Sequence, residues 1–190
     1  SHHWTFFINS LCHMVGTRPY SDKDTARDSF VMAILAYGEG YHNYHHRFQS
    51  DYRNGIRWYQ WDPTKWGIAL MGQLGMAAAL RRVPNEEIVR ARLAVDHSRS
   101  INLGAPAERL QTLKEKVERA QVRMRELRED YQRLKTDWSQ VSLQKYESLK
   151  IESRIARLEY RSAWRAWVQY IKFCRKLRPA YAVSLPRETR

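Results

Sequence analysis

The sequence predicts an all-α chain, and three observations carry that expectation. Between Pro106 and Pro179 there is neither glycine nor proline, and apolar residues recur there in steps of three and four. Trp66 to Leu80 is an apolar run broken only by Gln73. Gly16 and Asn85-Glu86-Glu87 sit where helices would stop and start.

In chain order, residues 4–16 are aromatic and apolar apart from Asn9 and His13, and read as the end of a buried helix stopped by Gly16. An Arg18-Pro19-Tyr20 loop follows. Asp24 or Thr25 is the expected cap of the next helix, running through Val31, Ile34 and Leu35 toward Tyr37. Gly38 and Gly40 bracket Glu39 and lead into Tyr41-His42-Asn43-Tyr44-His45-His46. From Arg47 to Pro63 the chain is polar and aromatic, with a turn at Asn54-Gly55. Trp66–Leu80 is an expected helix, closed by Arg81, Arg82 and Pro84. A capped helix over residues 86–97 comes next, then a linker over 98–106.

Beyond the linker, Leu110, Leu113, Val117, Ala120, Met124, Leu127, Tyr131, Leu134, Trp138 and Val141 form a heptad seam. The register slips between Ser139 and Ser148. A second stripe then runs through Ile151, Ile155, Leu158, Tyr160, Trp164, Trp167 and Ile171. A single helix over 107–178 would be roughly 100 Å long at 1.5 Å per residue, so the slip predicts a bend or reversal, giving a coiled coil or hairpin. The expected organisation is residues 1–97, linker 98–106, helical extension 107–178 and tail 179–190.

The net charge is +13, of which residues 107–178 contribute +9 from 19 Lys/Arg against 10 Asp/Glu. The basic character belongs to the extension and concerns surfaces or partners. Nucleic acid is not an expected partner, because the charge is mixed along the helices and no binding motif accompanies it. Cys12 and Cys174 are distant in sequence, which argues against a disulfide framework and for a reducing compartment. No stretch reaches 18 apolar residues; Trp66–Leu80 suits a re-entrant or interfacial helix instead. The start at Ser1-His2-His3 reads as a cut through a longer protein.

Six of the seven histidines fall within the first 46 residues. On a helix His42, His45 and His46 share a face, and Asn9 and His13 share one on another helix. Neutral imidazole is the commonest nitrogen ligand of zinc, copper and iron, and the spacing leaves all three open. Neither an H-E-x-x-H zinc hydrolase motif nor paired Glu-x-x-His motifs accompany the histidines. His97 stands alone and reads as a surface residue.

The run Gly38-Glu39-Gly40-Tyr41-His42-Asn43-Tyr44-His45-His46-Arg47-Phe48 resembles the third histidine box of membrane-bound fatty-acid desaturases of the stearoyl-CoA (delta-9) type, bacterial members above all. Asn9-Ser10 with His13, Gly16 and Arg18-Pro19-Tyr20 resembles the segment preceding that box. Asp51 to Trp58 and Asp62-Pro63-Thr64-Lys65-Trp66 continue the likeness, which covers about residues 1–95. The resemblance implies the C-terminal part of a helical catalytic cap and a pair of irons held by imidazoles. His13, His42, His45 and His46 would be ligands, and Asn9 a ligand through water. The first two boxes of such enzymes are not in this sequence, and the ligands here cannot complete two iron sites, so the chain alone is expected to be inactive.

The implied reaction is insertion of a cis double bond into a saturated acyl chain, as the CoA thioester, using dioxygen and two electrons. An acyl-lipid desaturase, a hydroxylase of the same superfamily and a non-catalytic helical scaffold are the alternatives. Cytochrome b5 or ferredoxin is the implied donor class, and the implied location is a membrane, with the catalytic part on its cytoplasmic face. Phe6 and its neighbours are candidates to line an acyl tunnel, and Arg53, Arg57 and Lys65 to meet CoA phosphates or lipid head groups. Asp28, Glu39 and Asp51 are candidates to orient the imidazoles.

Overall fold

A computed structural model of the chain describes residues 10–136 and 143–176. All regular structure among them is helical. The helices are α1 (Phe30–Leu35), α2 (His42–Arg47), α3 (Pro63–Gln73), α4 (Asn85–Asn102), α5 (Ala107–Thr136) and α6 (Leu143–Cys174), preceded by a helical turn over residues 10–14. The chain divides into two compact units, Ser1–Val95 and Asp96–Arg190.

In the first unit, two isolated antiparallel bridges organise the short helices. Thr17 pairs with Asp28, and Asp28 with Tyr41. The first pairing closes residues 18–27 into a loop, and the second closes a hairpin around α1. Both bring the turn at residues 10–14 beside α2. The cap of α1 is Ser29, whose hydroxyl accepts from Met32 N, rather than the expected Asp24 or Thr25. Those two residues are held in the 18–27 loop by the bridge downstream of them. Gly40 is needed at the close of the hairpin, because a Cβ there would collide with the backbone of Met32 and Ala33.

The core of this unit joins Ala33 of α1, Tyr41, Tyr44 and Phe48 around α2, and Ile88 and Ala91 of α4. Cys12, Met32 and Ala36 form a smaller cluster. Both described cysteines are free and buried.

The expected helix over Trp66–Leu80 is displaced and shortened to Pro63–Gln73. Its start is fixed by Asp62, which accepts from Lys65 N, with Pro63 in the first turn. Its end is fixed by Gly75 at φ +74. Met76 N–H donates to Met71 O at 2.9 Å and Gly75 N–H to Gly72 O at 3.3 Å, a Schellman closure that apolar composition does not reveal. Downstream, α4 continues through residues 98–102, which had been expected in the linker. The break falls instead at Leu103-Gly104, where Gly104 adopts φ +83.

In the second unit α5 and α6 form an antiparallel hairpin. Tyr131 and Tyr146 share a hydroxyl–hydroxyl bond of 2.7 Å, and Arg123 meets Glu159 at 3.2 Å. Residues 137–142 between the two helices, where part of the expected register slip falls and which include Trp138 and Val141, are outside the described ones. Leu110, Leu113 and Val117 are buried, and the seam from Ala120 to Leu134 is half-buried between exposed flanks.

The second stripe is corrected in its first half. Ile151, Ile155 and Leu158 are 54%, 44% and 58% exposed, so they lie off the seam. The inward line runs through Tyr146, Ser153, Ala156, Tyr160, Trp167, Ile171 and Cys174. The Tyr131–Tyr146 contact and the buried Trp167–Cys174 end set one three-four register, which passes by Ile151, Ile155 and Leu158. No helix among the described residues is long and apolar enough to cross a membrane.

Candidate metal centre

Three of the predicted imidazoles converge. Ligand nitrogens of His13, His42 and His46 all lie within 4.8 Å of one another, and the rings are half-buried. His42 Nε2 and His46 Nε2 are 3.1 Å apart, and the His13 ring meets those of His42 and His46 edge-on at 5.0 and 5.6 Å. Four residues apart on α2, His42 and His46 differ by about 40° around the axis, which superposes their rings one turn apart.

His45 does not join this group. It lies on the other side of His42, about 100° from His46, with its ring stacked on His42 at 6.3 Å and exposed. The expectation that His42, His45 and His46 aim at one point therefore holds for two of the three. Asn9 and Phe6 lie outside the described residues.

The electrostatics suit ligation. His42 is pushed down to about 4, first by burial and then by the neighbouring His46, His13 and His45, so its ring is neutral near pH 7. Neutral imidazole is the form that binds metal. The donor set, three nitrogens on two backbone segments with no carboxylate among them, fits a borderline transition-metal ion such as iron.

The groups that face the outer ring nitrogens were not the ones anticipated. His13 Nδ1 is 2.8 Å from the Thr25 hydroxyl. His46 Nδ1 is 3.9 Å from Asp24 Oδ2. Asp28, Glu39 and Asp51, the candidates from sequence, serve elsewhere. Asp28 accepts from Tyr44 N–H at 3.0 Å and so caps α2 from a distance. Glu39 is exposed. Asp51 gathers Arg53, the Tyr44 hydroxyl and Val83 N–H. Burial works to raise the Asp51 carboxyl, but these bonds outweigh it and hold it below its usual value.

The candidate substrate residues are largely committed. Arg53 is clamped on Asp51 through Nε at 2.9 Å and its terminal nitrogen at 2.7 Å. Lys65 is 5% exposed, and its ammonium donates to the carbonyls of Gly55, Arg57 and Gln60 at 2.7, 2.9 and 3.2 Å. With all three protons used, Lys65 ties a loop rather than offering charge to a phosphate. Arg57 lies over the Tyr59 ring.

Asn43, one residue past His42, was missed altogether. It is fully buried, and its amide makes four bonds. Oδ1 accepts from Tyr20 and Ser21 N–H at 2.9 and 3.3 Å, and Nδ2 donates to Ser21 and Ala26 carbonyls at 2.9 and 3.1 Å. The available signal was its place in the box: a polar residue about 100° round α2 from His42, on a side of the helix that is buried and must find partners there.

The fold and site define a helical protein with a three-imidazole group set on a short helix and the turn beside it. No family model matches the chain. Individual relatives do. It is 44% identical over 115 residues to a probable acyl-CoA desaturase of Schizosaccharomyces pombe, covering 57% of this chain and 24% of that protein. It is 51% identical over 87 residues to acyl-CoA desaturase 1 of Saccharomyces cerevisiae, covering 46% and 17%. A third relative, delta-9 acyl-lipid desaturase 1 of Arabidopsis thaliana, is 36% identical over 94 residues, covering 50% and 30%. By sequence the chain is similar to fatty-acid desaturases, and it spans a quarter or less of the two acyl-CoA desaturases' lengths.

Proposed function

We propose that the protein carrying this chain is a fatty acyl-CoA desaturase, inserting a cis double bond into a saturated acyl chain at a histidine-ligated pair of irons. The supporting observation is the convergence of His13, His42 and His46 within 4.8 Å. On this reading those imidazoles hold one iron, and His45, turned away on the same helix, serves the second with Asn9 acting through water. Four imidazoles do not fill two iron sites, so other residues have to supply the remaining ligands.

Bound iron would supply the oxygen activation that unactivated methylenes require and no side chain provides. In the balanced reaction the acyl chain loses two hydrogens, and dioxygen, with two electrons and two protons, leaves as two waters. The role of this chain is to orient. Thr25 holds the outer nitrogen of His13, Asp24 faces that of His46 at 3.9 Å, and the depressed His42 basicity keeps that ring unprotonated.

The electrons would come from a donor of the cytochrome b5 or ferredoxin class. The whole protein would be integral to a membrane, with this part at its cytoplasmic face. Exposed Trp58, Tyr59, Trp61 and Trp66 are side chains of the kind that favour lipid interfaces. Residues 1–97 would be part of the catalytic domain and 107–178 a basic helical extension.

Product analysis of the intact protein on stearoyl-CoA and on phospholipid tests the reaction and its substrate. A cis-monounsaturated CoA product is expected. Products formed only on phospholipid, the substrate class named for the Arabidopsis relative, would move the assignment to an acyl-lipid desaturase. Alanine at His46, or at His45, should abolish turnover, and full activity in either would remove that ligand assignment.

A further inference from the structure

We propose that Asn43 is a positioning residue of the metal centre, acting through the 20–26 loop that carries Thr25 and Asp24; this rests on the reading of His13, His42 and His46 as metal ligands. The Asn43 amide spans the loop from end to end, meeting Tyr20 and Ser21 on entry and Ala26 on exit. Its own backbone belongs to α2, directly after His42. One side chain thus fixes the loop to the helix that presents two of the three imidazoles.

Between those anchor points the loop offers its two polar groups to the rings. The Thr25 hydroxyl lies 2.8 Å from His13 Nδ1. Asp24 is aimed by its own turn: Oδ1 accepts from Ala26 N–H at 3.0 Å, leaving Oδ2 facing His46 Nδ1 at 3.9 Å. The bond to Nδ1 leaves Nε2 of His13 for the metal, while in His46 the carboxylate faces Nδ1 from beyond hydrogen-bond distance and Nε2 is the nitrogen turned to His42. The other end of the loop is tied to the turn bearing His13, since Arg27 N–H donates to Cys12 O at 2.9 Å and Arg27 Nε to His13 O at 3.2 Å. His13 and His46 come from segments far apart in sequence, so their relative aim depends on this loop. All four hydrogen-bonding positions of the buried amide are filled, which only Asn satisfies at this length.

The test is a double-mutant cycle on the intact protein, read by ferrous-ion affinity and by the visible ligand-field spectrum of the cobalt(II)-substituted protein. Thr25→Val, at an exposed site, is expected to weaken ferrous binding about ten-fold, within the range for partners of metal-bound imidazoles. Asn43→Ala should weaken it at least as much, with the cobalt bands shifted in the same sense. The double variant should be no worse than Asn43→Ala alone, because both act through one loop. Asn43→Asp keeps the two accepting contacts and loses the two donated ones; it takes the place of the alanine variant should that fail to fold. Multiplicative losses in the double variant, or unchanged affinity in a destabilised Asn43 variant, would overturn the proposal and leave Asn43 a packing residue. Wild-type protein that binds no ferrous ion would instead overturn the metal reading on which it stands.

Discussion

Asp28 shows how a single side chain links the fold to its pH response. Burial pushes its carboxyl up to about 7, although N–H bonds from Tyr44 and Asn43 work to lower it. A folded-state value above the unfolded value of 3.8 means that the folded protein holds a proton the unfolded chain has released. Stability from this group is greatest below pH 4 and is lost as pH rises from about 4 to about 7. Asp28→Asn keeps an acceptor for Tyr44 N–H and removes the titration. The expected outcome is a flatter dependence of urea midpoint on pH between 4 and 7, measured on metal-free protein. Lys65 gives a second residue-scale test. Lys65→Met keeps the stem but strands three carbonyls, so a loss of about 1–3 kcal/mol is expected in urea unfolding. The histidines were legible because their three-four spacing is local. Asn43, Thr25 and Asp24 were not, because Asn43 reaches back 17 to 23 residues and Thr25 meets a ring 12 residues away.

Helices were easier to foresee than their ends. The apolar stretch near Trp66 did mark a helix, but hydropathy is blind to the closure at Gly75, where the backbone turns left-handed. Gly75→Ala is expected to cost roughly 1–2 kcal/mol, because a Cβ disfavours that conformation even though space around it is open. Chemical denaturation compared with Gly67→Ala, a helix-interior glycine also in open space, checks this: the second change should be neutral or stabilising. The α6 stripe failed for a related reason. Ile151, Ile155 and Leu158 have helical spacing, but so does the line through Ser153 and Ala156, and periodicity alone cannot choose between two faces. The contact with α5 decides it, through Tyr131 and Tyr146.

At the scale of the molecule, the two units carry different kinds of sequence. The first has aromatic and polar side chains tied by buried bonds around α2, and it contains all the described candidate ligands. The second is a hairpin with a narrow seam, exposed arginines and the bulk of the net charge. On α5 the seam was legible because heptads repeat there without interruption, on α6 only its last residues were, and the site was legible only in its ligands. The division predicts that the chemistry is separable from the extension. Removing residues 107–190 from the intact protein should leave iron stoichiometry unchanged and some desaturation intact, read by metal analysis and product chromatography. The internal bonds that aim His13, His42 and His46 all come from residues before Val95, so nothing in that network is cut. Loss of iron on truncation would mean that the hairpin supports the centre and that the extension is part of the catalytic domain. Retained iron with reduced turnover would place the contribution of the hairpin outside ligand positioning.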